Sequence, residues 1–165
     1  MSFSRALRHL FAAPWLLGRA LPHAAIERIG AAVTESERRH RGEVRFAVEG
    51  ALDFGPVLRG LTPRDRALEV FSISRVWDTE ENTGVLLYLQ LVDRDVEIVA
   101  DRGIAKLVSQ DEWDGICHRM EASFAAGRFE AGVVTGIGEI TAILARHFPA
   151  DTGNADELPD RPIVL

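Results

Sequence analysis

Oxygen-bearing side chains gather in three short segments of this chain. They are Glu35, Glu37, His40 and Glu43; Asp78, Thr79, Glu80, Glu81, Asn82 and Thr83; and Asp101, followed by Gly103. Carboxylate, amide and carbonyl oxygens are what hard divalent cations bind; Ca²⁺ takes about six to eight of them, and Mg²⁺ takes fewer and keeps waters. Gly84 and Gly103 leave room for backbone carbonyls to turn toward an ion. The spacing matches neither an EF-hand loop nor a zinc-type histidine pattern, and Glu-rich loops of acidic proteins are often simply solvated. Arg38, Arg39, Arg41 and Arg45 lie beside the first segment, where they pair with the acids or hold an anion such as phosphate next to a cation. Other chemistry has less support. Ser72 and Ser74 lack elbow glycines, the five histidines are scattered, Cys117 sits on the apolar side of a helix, and Gly136-Ile137-Gly138 follows no strand.

The elements that must position these residues can be read from periodicity. Ala25, Ile26, Ile29, Ala32 and Val33 predict a helix from Pro22 to about His40, stopped by Gly42. Residues 43–49 alternate as a half-buried strand with Val44, Phe46 and Val48 inward. Thr62-Pro63 caps a helix that turns Ala67, Leu68, Phe71 and Val76-Trp77 to the core. Residues 85–92 are a central strand, and 95–100 a third strand after a turn centred on Asp93-Arg94, which sets Asp101 opposite Leu86. Ser109 to Glu112 opens a helix ending at Gly127; the last helix, about 130–147, buries Val134, Ile137, Ile140, Thr141 and Leu144. Gly132, Gly136 and Gly138 on it would let another backbone come close. The result is an α/β domain: a layered sandwich with a small mixed sheet and helices on both faces. Its first two strands are parallel and its third is antiparallel, which brings all three oxygen-rich segments to one sheet edge.

Length and charge bound the rest. The 165 residues suit one domain, here 22–150, with a basic amphipathic arm over 1–21 and an irregular tail over 151–165 whose final apolar residues tuck onto the body. Residues 1–45 carry eight arginines against four glutamates, and the remainder has a formal charge of −10, so no nucleic-acid groove is expected. One cysteine excludes an internal disulfide. Phe3, Leu7, Leu10 and Phe11 share one helical face, with Arg5, Arg8 and His9 mostly off it. Over residues 1–20 this suits peripheral contact with an anionic membrane, docking on a partner, or packing on the protein's own body. Pro14 and Arg19 cut the apolar run short, so neither a signal peptide nor a span is expected, and the chain reads as cytoplasmic.

The stretch from Ile29 to Glu43, the Trp77-Asp78-Thr79-Glu80-x-Asn82-Thr83-Gly84-Val85-Leu86 segment, and Asp93 to Ile104 with its Asp101-Arg102-Gly103 run resemble the TPM domain. The likeness extends over about 25–150, and the end from Leu158 resembles the tail of a short, membrane-free bacterial branch. The resemblance implies calcium or another divalent cation, such as Mg²⁺, at an acidic cluster on one sheet edge. Carried over by position, the ligands are Asp101, Asp78, Asn82 and Gly84, with Glu43 as a partner. It further implies a binding module working with a membrane-anchored TPM-type protein. The alternative is a metal-dependent acid phosphatase at the same edge, with Arg102 or Arg39 neutralising charge. The 78–84 loop is richer in glutamate than the family pattern, and neither a signal nor a C-terminal hydrophobic segment is evident.

Overall fold

A computed structural model describes residues 3–12, 15–151 and 157–165. Pro14, which interrupts the apolar run of the arm, and residues 152–156 of the tail lie outside them. The elements run α1 (Phe3–Leu10), α2 (Leu16–Ala20), α3 (His23–Glu37), β1 (Glu43–Glu49), α4 (Phe54–Leu58), α5 (Pro63–Ile73), β2 (Gly84–Gln90), β3 (Asp95–Ala100), α6 (Arg102–Ala105), α7 (Gln110–Ala125), α8 (Phe129–His147) and β4 (Ile163–Val164). The sheet order is β3-β2-β1-β4. As expected, β1 and β2 are parallel and β2 and β3 antiparallel. The apolar end of the tail forms β4, parallel to β1 through Ala47↔Ile163 and Val48↔Val164.

Both faces of the sheet are covered. Val44, Phe46, Val48, Val85, Leu87, Leu89 and Ile98 pack against α3, α7 and α8. Ala47, Leu86, Tyr88 and Val99 meet Ala67 and Val70 of α5 and Leu158 of the tail. For this reason β1 is buried at all seven positions and not at alternate ones. On α5, Val70 takes the inward place expected of Leu68, which is 46% exposed; Trp77 lies beyond the helix end and is 44% exposed. Val133 likewise replaces Val134 on α8. Gly132 and Gly136 of α8 lie against the Phe124 and Met120 side chains of α7, whereas Gly138 has open space, so none of them meets another backbone.

The hairpin register differs from expectation by two residues. Gln90 pairs with Asp95, Asp101 N–H donates to Gly84 O at 2.9 Å, and Asp101 therefore stands opposite Gly84. The turn is longer because Asp93 N–H donates to the Gln90 side chain at 2.9 Å and Arg94 takes a left-handed φ of 55°. Gly84 is also where the preceding loop crosses the sheet end. A Cβ there would stand 1.8 Å from Val76 O, so the two backbones pass at a distance that only glycine permits.

Gly84→Ala is expected to cost about 3 kcal/mol or more, because backbone must move on one side or the other. Gly138→Ala, in open space on a helix, should be neutral or stabilise by about 0.5–1 kcal/mol. Urea unfolding of both variants checks this; equal midpoints would refute the contact.

Candidate functional site

The 74–84 loop is built by its own short hydrogen bonds. Beyond α5, Arg75 turns left-handed at φ 55°, and Val76 N–H reaches back to Phe71 O at 3.1 Å. Thr83 N–H donates to Thr79 Oγ1 at 2.9 Å and Asn82 N–H to Thr79 O at 3.2 Å, which closes a turn with Asn82 left-handed at φ 56°. Asparagine tolerates that conformation better than most residues. The closed turn points two carbonyls at α6. Gly103 N–H donates to Asn82 O at 3.0 Å, and a Cβ on Gly103 would lie 2.5 Å from Asn82 O and 2.6 Å from Glu81 O.

Asp101 stands between β3 and α6. Its Oδ1 accepts from Arg102 N–H at 2.7 Å, its backbone oxygen accepts from Ile104 and Ala105, and its Oδ2 is buried with no hydrogen-bond partner. The residue is 8% exposed. Arg102 Nε–H donates to Asn82 Oδ1 at 2.9 Å. Asp101 and Asn82 are thus brought together at one corner, with Gly103 as the cradle that admits two carbonyls. Gly84 adjoins them, but its carbonyl is taken by the Asp101 amide. Asp78 is elsewhere, half-exposed and paired with Arg75 at 2.5 Å.

Glu43 belongs to a second acidic group, beneath the tail. It is buried and accepts from Leu158 N–H at 3.1 Å. Glu37 accepts from Val44 N–H at 2.9 Å and hydrogen-bonds to Asp160, and Thr34 Oγ–H also donates to Asp160. Burial, together with the nearby Glu43 and Asp160 charges, raises Glu37 to about 9, so it is a neutral acid near pH 7. Arg45 lies among these carboxyls, 8% exposed, and its pKa is lowered by burial against the opposing pull of Asp160, Glu37 and Glu43. Glu37, Glu43 and Asp160 line a pocket of about 320 Å³. Arg45 was expected beside the acids, but alternation on β1 assigned its side chain to solvent, so its burial was missed, and Asp160 was missed as a site residue altogether. The signal was the apolar run after Asp160, which brings the tail over that face.

The basic run pairs with acids at several points. Arg38 meets Glu35 at 2.6 Å, and Arg41 meets Glu81 at 3.2 Å and Asp151 at 3.7 Å. His40 is fully buried: its Nδ1–H donates to Gly42 O at 2.9 Å, and Nε2 faces the Ser36 hydroxyl at 3.4 Å. Burial lowers it to about 4, which keeps the ring neutral. Cys117 is buried, and burial pushes its thiol up to about 12, as suits a small core residue. Among the described residues, no three His, Cys, Asp or Glu side chains form a group able to hold a metal. A hard cation at this edge would therefore draw on one carboxylate, backbone carbonyls and water, a mixed set that Ca²⁺ accepts. The Asp101 corner fits that set through its unpartnered Oδ2 and the Glu81 carbonyl over Gly103.

A four-stranded mixed sheet with helices on both faces and a loop-bound corner at the start of its central strand defines the class. The model of the TPM domain matches residues 18–143, and the chain belongs to that family. Among solved structures it is similar to the BA42 protein of the psychrophilic bacterium Bizionia argentinensis, known by NMR. The two share 30% identity, with a TM-score of 0.76, over 86% of this chain and 93% of that one. No curated protein matches.

Two opposite pH slopes follow from the buried groups. Glu37 is raised when folded, so its contribution is present below the unfolded pKa of about 4.3 and is lost as pH climbs toward 9. Glu37→Gln keeps the neutral shape; from pH 5 to 8 its stability should gain on wild type by about 2 kcal/mol or more in urea unfolding. His40 is lowered, so its contribution is present above about 6.5 and is lost as pH falls toward 4. His40→Gln should remove that acid loss. Parallel pH curves for variant and wild type would refute either assignment.

Proposed function

We propose that this chain is a divalent-cation-binding module whose ion sits at the Asp101 corner. The observation that carries the reading is the Oδ2 of Asp101, a buried carboxylate oxygen without a partner; the other such oxygen among the described residues, Asp160 Oδ1, lies in the tail pocket with the Arg45 guanidinium. Leaving a buried charged oxygen unmatched is costly, and a cation removes that cost. The Glu81 carbonyl, crowded over Gly103, supplies a further hard oxygen, and water completes the shell. Both Asn82 oxygens are engaged, Oδ1 by Arg102 and the carbonyl by Gly103 N–H at 3.0 Å, so Asn82 shapes the corner and the Glu81 carbonyl is the better ligand. Asp78 and Glu43 are supporting charges in this reading and not ligands, since each has its own partner. A bound cation would neutralise the corner and tie the 79–83 turn to the end of β3, presenting a defined surface to a partner.

The arrangement favours binding over phosphoryl chemistry. Arg102, expected to neutralise a phosphoryl group, already donates to Asn82 through Nε, and Arg39 is exposed on the connection after α3. Phosphatase action would also require a nucleophile or base beside the ion.

Isothermal titration with CaCl₂ and MgCl₂ tests the proposal. Wild type should give saturable binding near one ion per chain. Asp101→Asn keeps the Oδ1 bond to Arg102 N–H but removes the charge, and should weaken binding about tenfold or more. Negligible heats from both proteins, or identical isotherms, would overturn it.

A further inference from the structure

Helix α1 is docked on the body by its polar side. Arg5 Nε and Nη2 donate to Asp93 Oδ2 at 2.9 and 2.7 Å, and Arg5 Nη1 donates to Leu61 O at 2.7 Å. His9 is 3% exposed: its Nδ1 accepts from Leu52 N–H at 3.0 Å, which places the ring proton on Nε2, facing Asp93 Oδ2 at 3.1 Å. Ala6, fully buried between them, packs with Leu52 and Val57. With the polar side inward, the apolar stripe points to solvent. On α1 and directly after it, Leu10 is 54% exposed and Phe11 78%, while Phe3 is 60% exposed with its ring edge-on to Phe54 at 6.5 Å; Trp15, which opens the next helix α2, is 62% exposed. Isolated exposed apolar residues are ordinary, but a stripe of them on a pinned helix is not.

We propose that this stripe is an interfacial contact for an anionic lipid bilayer. The charge around it has the required sign. The chain has a net charge of −6, yet its first acidic residue is Glu27. Arg8, with a side chain 62% exposed and one Nη at 3.5 Å from Asp93 Oδ1, flanks the stripe, and Arg19 is exposed with its guanidinium 5.8 Å from the Trp15 ring centroid. Aromatic residues beside arginines suit the headgroup boundary, where apolar rings enter and cations meet phosphates. The eight-residue helix is about 12 Å long, so it lies on a bilayer and cannot cross it. A second copy of the chain fits less well. The four exposed side chains offer on the order of 500 Å², short of the roughly 800 Å² per partner of a stable interface. A two-fold axis through the stripe would also set the arginines of the two copies against each other.

Vesicle flotation of the full chain in EDTA, which removes any contribution from a cation at Asp101, tests the proposal. The probes are vesicles of phosphatidylcholine alone and of phosphatidylcholine with about one-third phosphatidylglycerol. Wild type should float with the anionic vesicles, much less with the neutral ones, and less in about 0.5 M salt. Phe11→Ser/Trp15→Ser, at exposed positions, should lower partitioning about tenfold or more with an unchanged circular dichroism melt. Arg8→Glu should lower it about threefold or more without altering the stripe. No flotation, equal flotation on neutral vesicles, or variants that float like wild type would each overturn the proposal. So would a wild-type dimer in sedimentation that Phe11→Ser/Trp15→Ser dissolves while no protein floats, since the occupant would then be a second copy.

Discussion

The passage of Val76 O over Gly84 is the constraint on which the working edge depends. A side chain at residue 84 would occupy the space of that carbonyl, so the loop after α5 can lie across the start of β2 only because the position is glycine. Once it lies there, three strand ends are fixed together. Glu43 N–H donates to Thr83 O at 3.1 Å, Glu43 pairs with Gly84, and Asp101 N–H donates to Gly84 O at 2.9 Å. The same crossing delivers the 79–83 turn to α6, where a second glycine, Gly103, lies under the Glu81 and Asn82 carbonyls. Two missing side chains, about 20 residues apart in the chain, thus convert an ordinary sheet end into a corner lined with oxygen.

Much of the scaffold was legible because it rests on local periodicity. The alternation of 95–100, the continuous apolar run of 85–90 and the capped start at Thr62-Pro63 each reflect burial of a whole face or a satisfied helix end, and the structure has all three. What could not be read depends on partners distant in sequence. Arg45 is buried because a tail more than 100 residues later covers it, and nothing within β1 records that cover. The arm makes the same point more sharply. Its amphipathicity was plain, but the spacing of apolar residues says only that two sides differ and not which one faces the body. The choice is made by Asp93 in the β2–β3 turn, 84 residues from His9, whose carboxylate takes Arg5 and His9 together. Burial raises the Asp93 pKa, but the bonds from Arg5 and His9 outweigh it and hold the carboxyl below its ordinary value.

The acidic edge anticipated from composition is two groups with different solutions to the same electrostatic problem. Beneath the tail, Glu37 keeps its proton and shares it with Asp160, and the Arg45 guanidinium offsets the charge that remains. A cation entering that pocket would face Arg45 and would have to displace the Glu37 proton, two penalties before any ligand is gained. At the corner Asp101 has a carboxylate oxygen with no internal partner, and the two nearby guanidiniums are each turned to another group, Arg102 to the Asn82 side chain and Arg41 to the Glu81 carboxylate at 3.2 Å. A count of carboxylates alone does not separate the two places. The tail pocket has more of them and also an internal proton and the Arg45 guanidinium, although Asp160 Oδ1 and two Arg45 nitrogens have no hydrogen-bond partner there; the proposed corner has one carboxylate and no such internal cation against its free oxygen.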